Sequence, residues 1–190
     1  MKQFLALTTF CLFVSAARAQ VNASDLPPLD KSPMDMCYYP GNYPVLKIQD
    51  KVSEPVLARV IYSRPQKNGR LIFGDLVEYG QVWRLGDNEA TEIEFYKNVR
   101  VGDKKVPRGR YTLYAIPNAD TWTFIINREL DTWGAFKYDA SKDVARVTVP
   151  VQKLNEGVEA LAMTFEKTDP GCNLVVAWDN VRASLPISQN

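Results

Sequence analysis

Short apolar segments that alternate with polar positions recur along the chain after residue 44. In residues 91–96 the odd positions are Thr, Ile and Phe, and the even positions are Glu, Glu and Tyr. A period of two places the apolar side chains on one face of a β-strand. The segments that read as strands in this way are 45–49, 56–62, 91–96, a hairpin over 99–106, 110–116, 121–127, 144–149, 159–166, 173–178 and 181–187.

This pattern predicts an all-β fold, a single-domain antiparallel β-sandwich of the jelly-roll-like type. Nine or ten short strands at intervals of about ten residues, separated by Gly, Pro, Asn and Asp turns, are typical of that class. Residues 75–81, bounded by Gly74 and Gly80, are the one predicted short helix. We expect the sandwich over residues 45–190 and an extended arm over residues 20–44, where five prolines disfavour a helix.

The first nineteen residues read as a signal peptide. Lys2 precedes an apolar run over residues 4–14, which is too short to span a bilayer. Ala17-Arg18-Ala19 fits the small-x-small cleavage pattern. We therefore expect cleavage after Ala19, a periplasmic or secreted chain, and no transmembrane segment after cleavage. An uncleaved membrane anchor is the alternative, which the short apolar run disfavours.

The charge balance and the lack of histidine exclude several functions. The chain has 23 basic residues, 22 acidic residues and no His. Removal of Lys2 and Arg18 with residues 1–19 leaves 21 basic residues, so no field of one sign attracts nucleic acid. Without His, Ser-His-Asp and Cys-His catalysis and His-ligated zinc are excluded. We expect no metal, no cofactor and no nucleic-acid partner.

Two cysteines, Cys37 and Cys172, lie beyond the signal peptide. Export to an oxidising compartment favours a disulfide between them. Such a bond would close a loop of roughly 135 residues and contribute about 4 kcal/mol in the chain-entropy description. The alternative is two separate buried thiols.

The best candidate site lies in residues 71–95, where Trp83, Arg84, Asn88 and Glu89 surround Gly86. Arginine offers a planar fork to a carboxylate or a carbonyl group. Asparagine adds a donor and an acceptor, glutamate an acceptor, and tryptophan a face for stacking. The alternative is an internal Arg84–Glu89 ion pair that only fixes a loop.

Two further sets of residues have a functional and a structural interpretation. Glu92 and Glu94 share one face of a strand at a separation of ~7 Å, which is compatible with glycoside hydrolysis, although outward glutamates are commonly just a solvated face. Several aromatic residues could form a stacking platform for sugars, but in an all-β protein such rings more often belong to the core. They are Tyr111, Tyr114, Trp122, Trp133, Tyr138 and Trp178.

A combination of short motifs over roughly residues 32–187 resembles one family of secreted bacterial proteins, domain-of-unknown-function family twenty-nine-eleven. The resemblance implies an exported, mostly β domain and implies no activity. It also groups Arg64 with Trp83, Arg84, Asn88 and Glu89. The motifs are Tyr38-Tyr39-Pro40, Ser63-Arg64-Pro65-Gln66, Ile72-Phe73-Gly74, Tyr79-Gly80, Val82-Trp83-Arg84, Gly86, Asn88-Glu89-Ala90-Thr91, Val106-Pro107, Gly109, Tyr111, Ile116-Pro117, Trp122-Thr123, Asn127, Trp133-Gly134-Ala135-Phe136 and Tyr138-Asp139.

Three functions remain open at this stage. The first is a non-catalytic binding module for a small polar ligand, a glycan or a peptide, in the cell envelope. The second is a hydrolase that uses Glu89 as acid or base and Arg84 as electrostatic stabiliser. The third is a structural or assembly protein that docks an envelope protein. A deep pocket lined by Arg84, Glu89 and Trp83 favours the hydrolase, a shallow aromatic surface favours glycan binding, and a buried Arg84–Glu89 pair favours the structural role.

Overall fold

The computed structural model describes Ser24 and residues 26–189. The predicted signal peptide, residues 1–19, lies outside the described residues. Over the described residues, nine antiparallel strands form one sheet in the order β1-β2-β3-β6-β7-β8-β9-β4-β5, so the predicted all-β antiparallel fold is confirmed. The strands are β1 (Met34–Tyr39), β2 (Ala58–Ser63), β3 (Glu92–Phe95), β4 (Val99–Val101), β5 (Lys104–Val106), β6 (Gly109–Pro117), β7 (Thr121–Asn127), β8 (Asp143–Thr168) and β9 (Gly171–Gln189).

Strand β8 connects two parts of this sheet. Its residues 143–150 pair with β7, and its residues 151–168 pair with β9. The alternation of apolar residues predicted two strands within β8 and two within β9. In the structure, β8 and β9 are each a single continuous strand. The β8–β9 register shifts on both sides of Val158. The interruptions in the sequence pattern therefore include bulges, which bend a strand without ending it.

The sheet curls until its first strands lie against the C-terminal part of β8. Just after β2, the carbonyl oxygen of Pro65 accepts a hydrogen bond from Leu161 N at 3.0 Å, and Lys67 N donates to Glu159 O at 2.7 Å. Tyr39 in β1 donates from Oη to Gly171 O at 3.2 Å. Because β1 and β2 are far from β8 in the strand order, these bonds bring two distant parts of the curled sheet into contact.

One hydrophobic core fills the space between the facing surfaces. Trp122 from β7 and Trp178 from β9 are each 1% exposed. Phe73 and Trp83, both from the connection between β2 and β3, each lie within 5.0–6.3 Å of both tryptophans, measured between ring centroids. We call these four residues the aromatic cluster. Burial of each such ring stabilises the fold by about 1.5–3 kcal/mol.

The prediction of a helix at residues 75–81 is wrong. This segment makes turns, in which Val77 N donates to Ile72 O at 2.8 Å and Gly74 N donates to Val77 O at 2.9 Å. Gly74 and Gly80 have φ angles of 93° and 74°, which a right-handed helix does not contain. The local hydrogen bonds therefore close tight turns and leave no helical run.

The helix α1 lies instead at Tyr43–Ile48, where a strand over residues 45–49 was predicted. Pro44 occupies its first turn, where a missing N–H removes no intrahelical hydrogen bond. A short 3-10 helix follows at Ala140–Lys142. Before α1, the end of the expected N-terminal arm forms the edge strand β1. No helix among the described residues combines the length and the apolar character that a membrane crossing requires.

Gly171 provides a test of the close packing within β9. A Cβ atom at this position would overlap the carbonyl oxygen of Ile187 and lie 2.8 Å from the Cα atom of Ser188. We expect Gly171→Ala to lower the free energy of unfolding by about 1–3 kcal/mol and the melting temperature by roughly 3–10 °C. Gly157→Ala is the matched control, because the nearest atom, Asp179 O, would be 3.9 Å away. Equal melting temperatures for the two variants would contradict the packing described.

Candidate functional site

Residues 83–91 form the loop before β3 that carries most of the predicted site. Trp83 N donates to Ala115 O at 2.7 Å, and Ala115 N donates to Trp83 O at 3.0 Å. At the other end, Thr91 N donates to Arg84 O at 3.0 Å, and Thr91 Oγ1 donates to Leu85 O at 2.7 Å. Leu113 N in β6 donates to Thr91 O at 2.8 Å, so both ends of the loop are held on strand β6.

Trp83 and Gly86 pack this loop onto the core. Trp83 is 9% exposed, and its Nε1 donates to Gly86 O at 3.1 Å. A Cβ atom on Gly86 would come 2.7 Å from Oγ of Ser63, so only glycine fits without a shift. Trp83 therefore presents at most the edge of its ring to a ligand.

Arg84 pairs with Asp87, and this partner was not anticipated from the sequence. Arg84 Nη2 lies 2.5 Å from Asp87 Oδ1, and Asp87 Oδ2 accepts a hydrogen bond from Ser32 Oγ at 3.0 Å. Burial acts to raise the pKa of Asp87, but hydrogen bonds from Ser32, Arg84 and the Asn88 backbone outweigh it and hold the pKa below its usual value. The alternative of an internal Arg84–Glu89 pair is not what the structure shows.

Arg64 and Asn88 have mainly structural contacts. Arg64 donates from Nε to Leu161 O at 3.0 Å, and its Nη1 lies 3.0 Å from Asp35 Oδ2, so it ties β1 to β8. Asn88 adopts a φ of 55°, and its carbonyl oxygen accepts from Gly134 N at 2.9 Å. Of these two predicted ligand-binding residues, only Asn88 lies in the same loop as Arg84.

Glu89 is exposed and lies apart from the Arg84 side chain. It lines a pocket of about 170 Å³ that also contains Glu92 and Asp131. Arg84 lines a different pocket, of about 180 Å³. At the backbone, Glu89 pairs with Trp133, so the predicted site adjoins the loop after β7. The structure therefore separates the two side chains on which the hydrolase hypothesis depends.

Glu92 and Glu94 form cross-strand ion pairs. Glu94 Oε2 lies 2.7 Å from Arg59 Nη2, and Glu92 Oε2 lies 2.9 Å from Arg110 Nε. Burial raises the pKa of Glu92, and Arg110 opposes that shift. The two carboxylates therefore each face a guanidinium group instead of each other, which is the arrangement of a charged strand surface.

A cavity of about 610 Å³ lies along the loop of residues 128–142. Trp133 is 60% exposed and Phe136 is 82% exposed at this cavity. We call it the aromatic cleft. Charged and polar side chains make up most of the remaining lining, which comprises Tyr114, Glu129, Leu130, Asp131, Thr132, Gly134, Lys137, Asp139 and Lys142.

The buried side chain of Asn127 holds this loop in place. Its Nδ2 donates to Asp143 Oδ1 at 2.7 Å and to Asp139 O at 3.0 Å, and its Oδ1 accepts from Glu129 N at 2.9 Å. Thr112 Oγ1 donates to Glu129 O at 2.5 Å. Both ends of the loop are thus fixed to the sheet, and the cleft is preformed.

Of the six aromatic residues that were candidates for a stacking platform, Trp133 is the exposed one. Trp122, Trp178, Tyr111 and Tyr114 are buried. Tyr138 is half-buried and donates from Oη to Asp143 Oδ2 at 2.6 Å; burial and this hydrogen bond raise its pKa to about 12. Sequence reasoning missed that Phe136 is exposed at the same cavity as Trp133, although both belong to the same short motif in a long connection.

The predicted disulfide between Cys37 and Cys172 is not formed in the structure, where both residues are free thiols. Tyr39, two residues after Cys37 in β1, is the residue that reaches the start of β9, through its bond to Gly171 O. Burial raises the pKa of each thiol to about 12. Among the described residues no group of three or more His, Cys, Asp or Glu side chains is arranged to hold a metal ion.

The Asp87 contacts generate a pH-dependent prediction. We expect Asp87→Asn to lower stability at about pH 7 by roughly 1 kcal/mol, because charge-assisted bonds at a half-exposed position are lost. A folded-state pKa below the ordinary value of about 3.9 gives stability that is present above that value and lost as pH falls through the folded-state pKa. The gap in melting temperature between wild type and variant should therefore narrow towards about pH 3.

Asp75→Asn is the control for this measurement, because Asp75 is exposed and its side chain makes no hydrogen bond within residues 26–189. It should leave the melting temperature nearly unchanged at both pH values. A gap for Asp87→Asn that stays constant with pH would contradict the role given to its charge.

Comparison with known proteins gives one match. The profile described as "Protein of unknown function (DUF2911)" matches residues 44–187. No curated protein and no solved structure matches the chain. Since the match covers most of the 190 residues and agrees with the resemblance of the motifs, the chain belongs to the DUF2911 family of proteins of unknown function.

Proposed function

We propose that this protein is a non-catalytic binding module of the cell envelope whose ligand is a glycan held in the aromatic cleft. The observation that carries the proposal is the exposure of Trp133 and Phe136, 60% and 82%, beside a preformed cavity of about 610 Å³. Large rings exposed next to a concave surface mark binding sites more often than solvated surface.

The two rings are held in position by backbone contacts. Ala90 N donates to Thr132 O at 3.0 Å, and Gly134 N donates to Asn88 O at 2.9 Å, so the two loops run as a short ribbon. Gly134 has a φ of 67°, and a Cβ atom there would come 2.6 Å from the Phe136 ring. The ring of Phe136 therefore lies across Gly134, and a ligand finds both aromatic faces already placed.

The polar lining suits hydroxyl groups. Lys142 pairs with Glu129, and Asp131 Oδ1 lies 2.5 Å from Arg110 Nη2, so several of the charges around the cleft are balanced. Tyr114 and Thr132 share a hydrogen bond of 3.1 Å at the same cavity. Sugars combine an apolar ring face, which stacks on aromatic rings, with hydroxyls that need donors and acceptors. This combination favours a glycan over an apolar peptide.

A binding role also agrees better with the site than the hydrolase alternative does. Arg84 is engaged by Asp87, and Glu89 lines another pocket. Glu89 is exposed and forms no ion pair with Arg84. The proposal therefore assigns neither residue a catalytic role.

The glycan proposal is tested by titrating the purified protein with cello-, chito-, malto- and xylo-oligosaccharides while tryptophan fluorescence and melting temperature are measured. At about a hundred times its dissociation constant, a true ligand adds about 2.7 kcal/mol of stability. We expect Trp133→Ala and Phe136→Ala each to weaken binding by about tenfold, since one stacking contact contributes about 1.5 kcal/mol.

Ile48→Ala is the matched control, because Ile48 is 85% exposed and does not line the cleft. It should bind the same oligosaccharide with unchanged affinity. Binding that survives both cleft substitutions, or no response to any oligosaccharide, would show that the cleft is not a glycan site.

Export is part of the same proposal, and it is supported by the signal-peptide pattern of residues 1–19. When the full chain is expressed in a Gram-negative host, we expect the exported protein to begin at Gln20, as measured by intact mass. Ala19→Arg should block cleavage, because a bulky charged residue does not fit the small-residue position. Recovery of the full-length chain from the cytoplasm alone would contradict export.

A further inference from the structure

A second pocket, of about 180 Å³, shares no lining residue with the aromatic cleft. One wall is apolar: the indole rings of Trp83 and Trp178 stack at 6.0 Å with an interplanar angle of 17°, and Leu76 and Val77 adjoin them. The two indoles belong to the aromatic cluster, so this wall is held by the hydrophobic core.

The polar wall carries two arginines and one carboxylate. Arg84 Nη2 is bound by Asp87, whereas Arg70 donates from Nε to Lys67 O at 3.0 Å and from Nη2 to Gln66 O at 2.5 Å. Both acceptors of Arg70 are neutral carbonyl groups, so no carboxylate of the described residues balances its charge. Counted over the residues that line the pocket, the net charge is positive.

The Arg84 guanidinium offers a donor beyond its ion pair, because Nη2 is its only hydrogen-bonded nitrogen among the described residues. Its Nε also lacks a partner, but that atom is buried and out of reach of a ligand. Nearby acids do not compensate: Asp75 and Glu78, which flank the apolar residues 76–77, form no ion pair with Arg70 or Arg84 in the described part of the chain and do not line the pocket.

We propose that this pocket is a binding site for a small carboxylic acid with an apolar body. The carboxylate accepts hydrogen bonds from Arg70 and Arg84, which offer the planar donor arrangement that carboxylates match. The apolar body lies against Leu76, Val77 and the accessible edge of Trp83. The size is suitable, because an apolar cavity of about 150 Å³ holds a benzene ring. This site does not depend on glycan binding in the aromatic cleft.

The test is a titration of the purified protein with benzoate, followed by tryptophan fluorescence and calorimetry. Benzamide has the same shape without the charge, and inorganic phosphate has charge without the apolar body. We expect saturable binding of benzoate and at least about tenfold weaker binding of either comparison compound. Equal binding of benzamide, equal binding of phosphate, or no saturable binding of benzoate would overturn the proposal.

Arg70→Gln is the informative variant, because the Arg70 side chain contacts only exposed backbone carbonyl groups and its loss should leave the fold intact. We expect the dissociation constant for benzoate to rise about tenfold. Arg108→Gln makes the same change of net charge at an exposed position outside the pocket and should have no effect. Arg84→Gln should weaken binding as well, with the circular dichroism spectrum checked to show that the variant is folded. Unchanged benzoate binding in Arg70→Gln would overturn the proposal.

Trp133→Ala separates the two proposed sites. It removes a ring from the aromatic cleft and leaves every residue that lines the smaller pocket in place. Benzoate binding should be unchanged in this variant even if glycan binding is lost. Loss of benzoate binding in Trp133→Ala would place the carboxylate in the cleft and overturn the assignment.

Discussion

The packing of the aromatic cluster, Phe73 and Trp83 against Trp122 and Trp178, is the contact on which the rest of the candidate site depends. Trp122 belongs to one part of the sheet and Trp178 to the other, whereas Phe73 and Trp83 come from the connection between β2 and β3. Aromatic pairs at such distances contribute about 0.5–1.5 kcal/mol each beyond the area that they bury. The cluster therefore joins the two parts of the sheet and at the same time fixes a long connection that has no regular strand or helix of its own.

The fixed connection between β2 and β3 in turn holds the loop after β7 in place. The backbone bonds between residues 88–90 and residues 132–134 align Trp133 with Glu89, and Asn127 holds the base of the same loop. A buried asparagine that makes three hydrogen bonds stabilises one conformation of the chain around it. The exposed rings of Trp133 and Phe136 are thus carried by a loop that is hydrogen-bonded at its ends and its middle. Such preorganisation lowers the entropic cost of ordering the loop when a ligand binds.

The sequence predicted the fold class from local alternation, because the period of two is a property of each strand. Residues 121–127 coincide fully with β7 for this reason. It could not predict that β8 continues through Val158, since a bulge and a turn interrupt alternation in the same way. The prediction of a helix at residues 75–81 was wrong because the two glycines that bound this segment close turns. Helix α1 was missed because Pro44 was interpreted as a helix breaker and not as a first-turn residue.

Four of the predicted site residues lie in one loop, but the ion pair within that loop was assigned to the wrong partner. Residue types showed that Arg84 needs a carboxylate, yet whether Asp87 or Glu89 supplies it depends on the φ angles of Leu85 and Asn88, which are 57° and 55°. Left-handed conformations at residues other than glycine cannot be inferred from composition. Likewise, nothing local distinguishes Trp133 from Trp122, because exposure is decided by which strand covers a ring.

The distribution of charges supports the proposed binding role more than the hydrolase alternative. Several charged side chains near the two pockets are paired: Arg84 with Asp87, Arg110 with Glu92 and Asp131, and Lys142 with Glu129. For Asp87, hydrogen bonds that include the one from Arg84 hold the pKa below its usual value, so this carboxylate is a poor proton donor or acceptor near neutral pH. Arg70 stands apart, because its acceptors are neutral carbonyl groups. A guanidinium without a carboxylate partner can offer its planar donors to an anion, as the proposed carboxylate site requires.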